Sequence, residues 1–126
     1  PGSPKYVTQY ITTDRGNSAW FIKDTNKKLV ITEDYLSAYR VYQDTEYSSL
    51  ALLGTSITDK TITTLNNLKF SKILIWTDPD EPGIKASSKI FKKLEYYLDG
   101  VRINIIRHKE PKYFTSDELV SELSKH

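Results

Sequence analysis

The feature that most constrains this chain is the run from Lys72 to Thr77. There Ile73, Leu74, Ile75 and Trp76 follow one another, and Asp78-Pro79-Asp80-Glu81-Pro82-Gly83 comes directly after. Consecutive strand residues point to opposite faces, so an unbroken apolar run needs cover on both sides, as a central strand of a parallel sheet has. Beyond the Pro and Gly breakers, Ile84, Phe91, Leu94 and Leu98 recur at offsets of seven, three and four, which predicts a long amphipathic helix stopped at Gly100. Val101 to Ile106 then reads as another strand. The same alternation runs upstream. Lys28 to Thr32 is a strand around Leu29-Val30-Ile31, Asp34 to Gln43 a helix with Leu36, Tyr39 and Tyr42 spaced by threes, and Ser49 to Leu53 a strand closed by Gly54. A helix after Thr58 places Ile62, Leu65 and Leu68 on one face, and Thr115-Ser116-Asp117-Glu118 caps a short last helix carrying Leu119, Val120 and Leu123. Strands alternating with helices imply βαβ crossovers, hence an α/β fold with a mostly parallel four-stranded sheet covered on both faces. Before Lys28 the pattern changes: Tyr6 to Thr12 and Ala19 to Lys23 flank Asp14, Gly16 and Asn17, as in an added β-hairpin.

A length of 126 residues fits one domain. Cysteine is absent, which excludes disulfide frameworks, thiol nucleophiles and cysteine-based zinc sites. No apolar run approaches the roughly 20 residues that span a bilayer. Methionine is also absent and the chain opens Pro1-Gly2-Ser3, so residues 1–3 read as an expression scar on an internal piece of a longer protein. Residues 4–27 are then the hairpin and connector, and 28–126 the α/β domain.

Ligands of parallel α/β sheets bind beyond the carboxyl ends of the strands. Glu33 follows the first core strand there, and Asp78 and Asp80 follow the central one. If those strands are neighbours, the three carboxylates converge. Hard oxygen ligands suit Mg²⁺ or Mn²⁺, and acids brought together without a cation would raise one another's pKa. The run after Asp78 is equally good turn and cap chemistry, with Asp80 placed to cap the helix and Pro82 to pre-set its first turn.

Three segments together carry a family resemblance: Leu29-Val30-Ile31-Thr32-Glu33-Asp34, Leu52-Leu53-Gly54-Thr55, and Ile75-Trp76-Thr77-Asp78-Pro79-Asp80-Glu81-Pro82-Gly83. In that order they resemble the successive motifs of a Toprim domain. Thr32 to Ala38, Ala51 to Ser56 and Lys109 to Glu118 are most similar to phage, bacterial-type DNA primases. The resemblance implies a catalytic domain that makes RNA primers on single-stranded DNA by metal-dependent nucleotidyl transfer. It casts Glu33 as metal ligand or general base, Asp78 and Asp80 as ligands of Mg²⁺ or Mn²⁺, Gly54 as the turn beside the site and Gly83 as the glycine opening the next helix. Its alternatives are a Toprim nuclease of the OLD or RNase M5 kind, which cleaves phosphodiesters, and a non-catalytic RecR-like interaction module. Three positions depart from the usual pattern: Asp34 and Ser37 stand where many Toprim proteins have Gly and Asp, and Lys112 ends Glu110-Pro111-Lys112 where cellular primases have acid-Pro-acid, a loss that argues against a full second or third metal site. The implied partners are template DNA, NTPs and a replicative helicase in cis or trans, in the cytoplasm of a bacterial host. A monomeric fragment of this size is expected to be inactive or feeble alone.

The near-neutral charge of +2 conceals an asymmetry, because Lys85 to Lys112 carries a net +5 and the remainder −3. Lys85, Lys89 and Lys92 fall at i, i+4 and i+7, a stripe suited either to solvent or to nucleic acid, with Lys85 near enough the acidic loop to meet a phosphate. Of the nine tyrosines, Tyr39, Tyr42, Tyr96 and Tyr97 are expected to pack, and Trp76 to be core. Trp20 packs in the hairpin or meets a neighbouring domain. His108 and His126 offer no zinc site.

Overall fold

The structure is a computed structural model that describes residues 11–13, 18–23, 27–53 and 56–126. Its strands are β1 (Ile11–Thr13), β2 (Ala19–Phe21), β3 (Lys28–Thr32), β4 (Ser48–Ala51), β5 (Lys72–Ile75) and β6 (Arg102–Ile105). Its helices are α1 (Tyr35–Asp44), α2 (Asp59–Leu68), α3 (Glu81–Tyr97) and α4 (Ser116–Ser124), with a 3₁₀ turn at Pro111–Tyr113. The strands form a six-stranded sheet in the order β1-β2-β4-β3-β5-β6. Strands β4, β3, β5 and β6 are parallel, as expected. Strand β2 pairs antiparallel with both β1 and β4, so the hairpin strands extend the main sheet. Most of the hairpin's first arm and its turn residues Asp14, Gly16 and Asn17 lie outside the described residues.

Central strands β3, β4 and β5 are buried almost end to end, whereas edge strand β6 alternates between exposed and half-buried. Successive residues of one strand serve two cores, as the pleat requires. Leu29, Ile31, Ile73 and Ile75 meet Ile62, Leu65, Ile90 and Leu94 from α2 and α3. Val30, Leu74 and Trp76 meet Val41 of α1 and Leu119 and Leu123 of α4. Trp20 belongs to the first core and is buried.

Three expectations fail on the helices. Leu36 and Tyr39 of α1 are exposed, and the buried face is Ser37, Ala38 and Val41. Small residues let α1 approach the sheet closely enough for Ser49 Oγ to donate to the Ala38 carbonyl at 2.5 Å. The tyrosines of α1 instead reach sideways, with Tyr35, Tyr39 and Tyr42 surrounding the Phe21 ring at centroid distances of 5.1, 5.9 and 5.6 Å. On α3, Ile84 is exposed and the sheet-facing side is Gly83, Ala86, Ser87, Ile90 and Leu94. Tyr96 and Tyr97 are exposed and touch each other edge to face rather than the core.

Gly100 has φ +69°, but α3 has already ended at Tyr97 with Leu98 as an extended C-cap, so the glycine shapes the turn into β6 rather than the helix stop expected of it. Two other described residues are left-handed: Lys69 with φ 60° caps the end of α2, and Leu53 with φ 56° ends the β4 arm. The turn expected at Gly54 thus begins one residue earlier, and Gly54 itself lies outside the described residues.

Candidate metal centre

The chain leaves β3 through α1 to reach β4 on one side, and leaves β5 through α3 to reach β6 on the other, so the direction of winding reverses between β3 and β5. At such a reversal the flanking loops part and leave a crevice at the carboxyl ends of the strands. Registers Ile31↔Ile75 and Ile75↔Ile105 bring the ends of β3, β5 and β6 level. Glu33 and Asp34 follow β3, Asp78 follows β5, and Glu110 follows the β6 arm.

Glu33 is tied to Asp78 directly: its Oε2 accepts the Asp78 backbone N–H at 2.8 Å. Asp80 takes the cap role. Its Oδ1 accepts from Gly83 N–H at 2.8 Å, and its side chain lies outward at the start of α3. Gly83 is required by a close approach. A Cβ there would stand 2.1 Å from the Asp78 carbonyl oxygen and 2.8 Å from its carbonyl carbon, both backbone atoms. The Gly83 carbonyl in turn accepts from Thr77 Oγ1 at 2.6 Å, locking the first turn of α3 against the end of β5.

Among the described residues, the trio of acids whose oxygens can converge is Asp34, Asp78 and Glu110, all half-buried, with ligand atoms within 4.8 Å of one another. The expected trio of Glu33, Asp78 and Asp80 shares only Asp78 with it. Glu33 instead holds the Asp78 backbone, and Asp80 acts on Asp78 through its charge. Burial, a hydrogen bond with Glu110 and the nearby charges of Glu33, Glu110 and Asp80 push the Asp78 carboxyl up to about 7. Burial and neighbouring like charges both disfavour the ionised carboxylate.

A cation already stands in the cluster. Lys112 Nζ lies 3.2 Å from Asp34 Oδ2 and 3.6 Å from Glu110 Oε1, and its pKa is raised chiefly by the hydrogen bond and charge of Asp34. Asp34 also caps α1, with Oδ1 accepting from Ser37 N–H at 2.7 Å. The family motifs mark Glu110 only as the remaining acid of an acid-Pro-acid element, and Asp34 as a departure from the usual glycine, with neither among the expected ligands. The available signal was their position, since both follow strand ends by the rule that picked out Glu33 and Asp78.

Lys85, Lys89 and Lys92 lie exposed along α3, and Lys85 stands 3.9 Å from Glu81 one turn back. A cleft of about 230 Å³ beside Asp78 is lined by Thr77, Pro79, Ile84, Ile106 and Arg107, so Arg107 and the exposed Ile84 share it with Asp78. A larger cavity of about 460 Å³ between Lys28, Tyr47, Lys72 and His126 involves none of these acids. Among the described residues, no helix is long and apolar enough to cross a membrane.

A sequence profile of the Toprim-like family matches residues 30–117. No curated protein matches the chain. Among solved structures, the DnaG catalytic core is similar at a TM-score of 0.64 and 21% identity, over 81% of this chain and 34% of that one. A DNA primase domain from Pseudomonas aeruginosa is similar at a TM-score of 0.58 and 26% identity, over 79% of this chain and 30% of that one. The chain therefore spans about a third of the length of each. The family profile begins within β3 and ends within α4, so it takes in every strand end that delivers an acid to the crevice, and the chain belongs to the Toprim-like family.

Proposed function

We propose that this chain supplies the metal-dependent centre of a phage-type DNA primase, joining ribonucleotides into a primer on single-stranded DNA. The observation that carries the reading is the meeting of Asp34, Asp78 and Glu110 at the crevice between β3 and β5. The donor set fits a divalent ion, because it is all carboxylate oxygen, and burial, a hydrogen bond with Glu110 and neighbouring acidic charge already lift Asp78 toward neutrality. Asp78 and Glu110 are the proposed principal ligands. Bound Mg²⁺ or Mn²⁺ would neutralise phosphate oxygens and the charge that develops as a 3′-hydroxyl attacks a triphosphate.

The chain's own groups do the positioning. Glu33 fixes the Asp78 backbone and remains the candidate general base, and Asp80 and Gly83 set the angle at which α3 leaves the site. Arg107 in the adjoining cleft and Lys85 on α3 are the proposed phosphate contacts, with Lys89 and Lys92 continuing the stripe toward template. Likeness to a primase domain at 26% identity supports primer synthesis over cleavage. Template DNA, NTPs and a replicative helicase are the partners this implies, in the host cytoplasm.

The test has two parts. Mn²⁺ titrated into the chain by calorimetry should bind, and binding should be lost in Asp78→Ala with the circular dichroism spectrum unchanged. Undiminished binding in that variant sinks the site. Activity is read on the longest protein that contains this domain, with single-stranded template and labelled NTPs in one arm and labelled DNA alone in the other. Polymer that disappears with Glu33→Gln supports the primase reading, and fragments from DNA alone would replace it with a nuclease.

A further inference from the structure

Lys112 sits where an arriving ion would have to act, and its placement is built by the fold. Its backbone N–H donates to Ser37 Oγ at 3.3 Å, and Ser37 Oγ donates to Asp34 Oδ2 at 3.3 Å, the same oxygen the Lys112 ammonium approaches. Residue 112 thus grips Asp34 twice, once through Ser37 and once through its own charge. Arg40 of α1 fastens the loop from behind, donating to the Lys112 carbonyl at 3.5 Å and the Phe114 carbonyl at 2.8 Å while paired with Asp44. The Lys112 side chain is only about a quarter exposed, and that of Glu110 beside it less.

We propose that Lys112 is a tethered cation of the acid cluster: it neutralises part of the charge of Asp34 and Glu110 and so weakens the cluster's hold on a divalent ion. The argument is one of charge and lone pairs. Both Asp34 oxygens are engaged, Oδ1 by Ser37 N–H and Oδ2 by the Ser37 hydroxyl and Lys112, and Glu110 Oε1 is shared with the same ammonium. An ion entering among Asp34, Asp78 and Glu110 must compete with Lys112 for two of its three acids. A surface ion pair is worth little to stability, so this pair's consequence is expected in ion binding rather than in folding.

The inference rests on the metal-centre reading above, and the test separates the two. Mn²⁺ affinity is measured by calorimetry for the native chain, Lys112→Met, Lys112→Gln and Lys112→Arg, with Asp78→Ala as the control for the site. A unit positive charge about 4 to 5 Å from a divalent ion costs roughly 10- to 30-fold in affinity even at the dielectric constant of water. Both neutral variants should therefore bind Mn²⁺ about tenfold or more tightly than the native chain, and Lys112→Arg within about threefold of it. Two neutral replacements keep the comparison readable if one folds poorly, which thermal melts monitor. Equal or weaker binding in the neutral variants, with Asp78→Ala still abolishing it, overturns the role of Lys112 and leaves the metal centre standing. Binding by neither the native chain nor any Lys112 variant overturns both.

Discussion

Replacing Gly83 with alanine tests whether the end of β5 and the start of α3 are held together by contact rather than by backbone preference. No left-handed φ is involved, since Gly100 is the sole glycine with positive φ among the described residues. On propensity alone the change would help: removing a glycine's freedom in the unfolded chain stabilises by about 0.4 to 1 kcal/mol. The structure reverses the sign. The new methyl would stand 2.1 Å from the Asp78 carbonyl oxygen, more than 1 Å inside contact distance, and the atoms in its way are backbone. Relief requires moving the first turn of α3, held by Thr77 Oγ1 on the Gly83 carbonyl, or the Asp78 peptide, held by Glu33. Overpacking of this kind costs about 1 to 3 kcal/mol, so a net loss of about 1 to 2 kcal/mol remains. For a domain of this size that lowers Tm by about 4 to 10 °C. Urea denaturation with an unchanged m-value, alongside calorimetric melting, measures it. Because the Asp78 peptide shifts, Mn²⁺ binding should weaken as well. An alanine variant as stable as the native chain, or more so, would refute the close-approach argument.

In metal-free buffer the raised Asp78 pKa makes the folded state hold a proton that the unfolded state releases, so its contribution to stability is full below about pH 4 and is lost as pH rises through about 7. Urea midpoints across that range should show this falling component in the native chain and lose it in Asp78→Asn, and equal slopes would count against it. Trp76 is buried, stacks edge to face on Phe114 and donates its indole N–H to the Lys109 carbonyl at 3.0 Å. Trp76→Phe should cost about 1 to 3 kcal/mol in denaturation experiments by leaving that carbonyl unpaired, and a neutral result would mean the bond contributes nothing. Changing Lys85, Lys89 and Lys92 together to glutamine should weaken single-stranded DNA binding and flatten its salt dependence by about two units of slope, read by anisotropy across a salt series. An unchanged slope would make the stripe a solvated face.

Much of the fold was legible in the chain because its signals are local. The apolar run at Ile73 to Trp76, the breakers after Asp78 and the Thr115 to Glu118 capping box each depend on residues within a turn or two, and each stands where it was expected. Spacing misled where packing distance rules. Leu36, Tyr39 and Ile84 have helical periodicity, yet α1 and α3 turn Ser37, Ala38, Gly83 and Ala86 to the sheet, because only small side chains allow those helices so close. The family motifs located the acidic end of the sheet, but sequence could not decide which acids meet there. That depends on β3 lying beside β5 and β5 beside β6, pairings between residues far apart in the chain. Register then puts Asp34, Asp78 and Glu110 within reach of one another, sends Asp80 to the helix cap and brings Lys112 back onto Asp34. The sequence alone thus determined the alternation of elements and the carboxylate chemistry at the strand ends, since both follow from neighbouring residues. Tertiary structure decided the composition of the cluster and the cation inside it, since charges interact through space and only the folded sheet sets those distances.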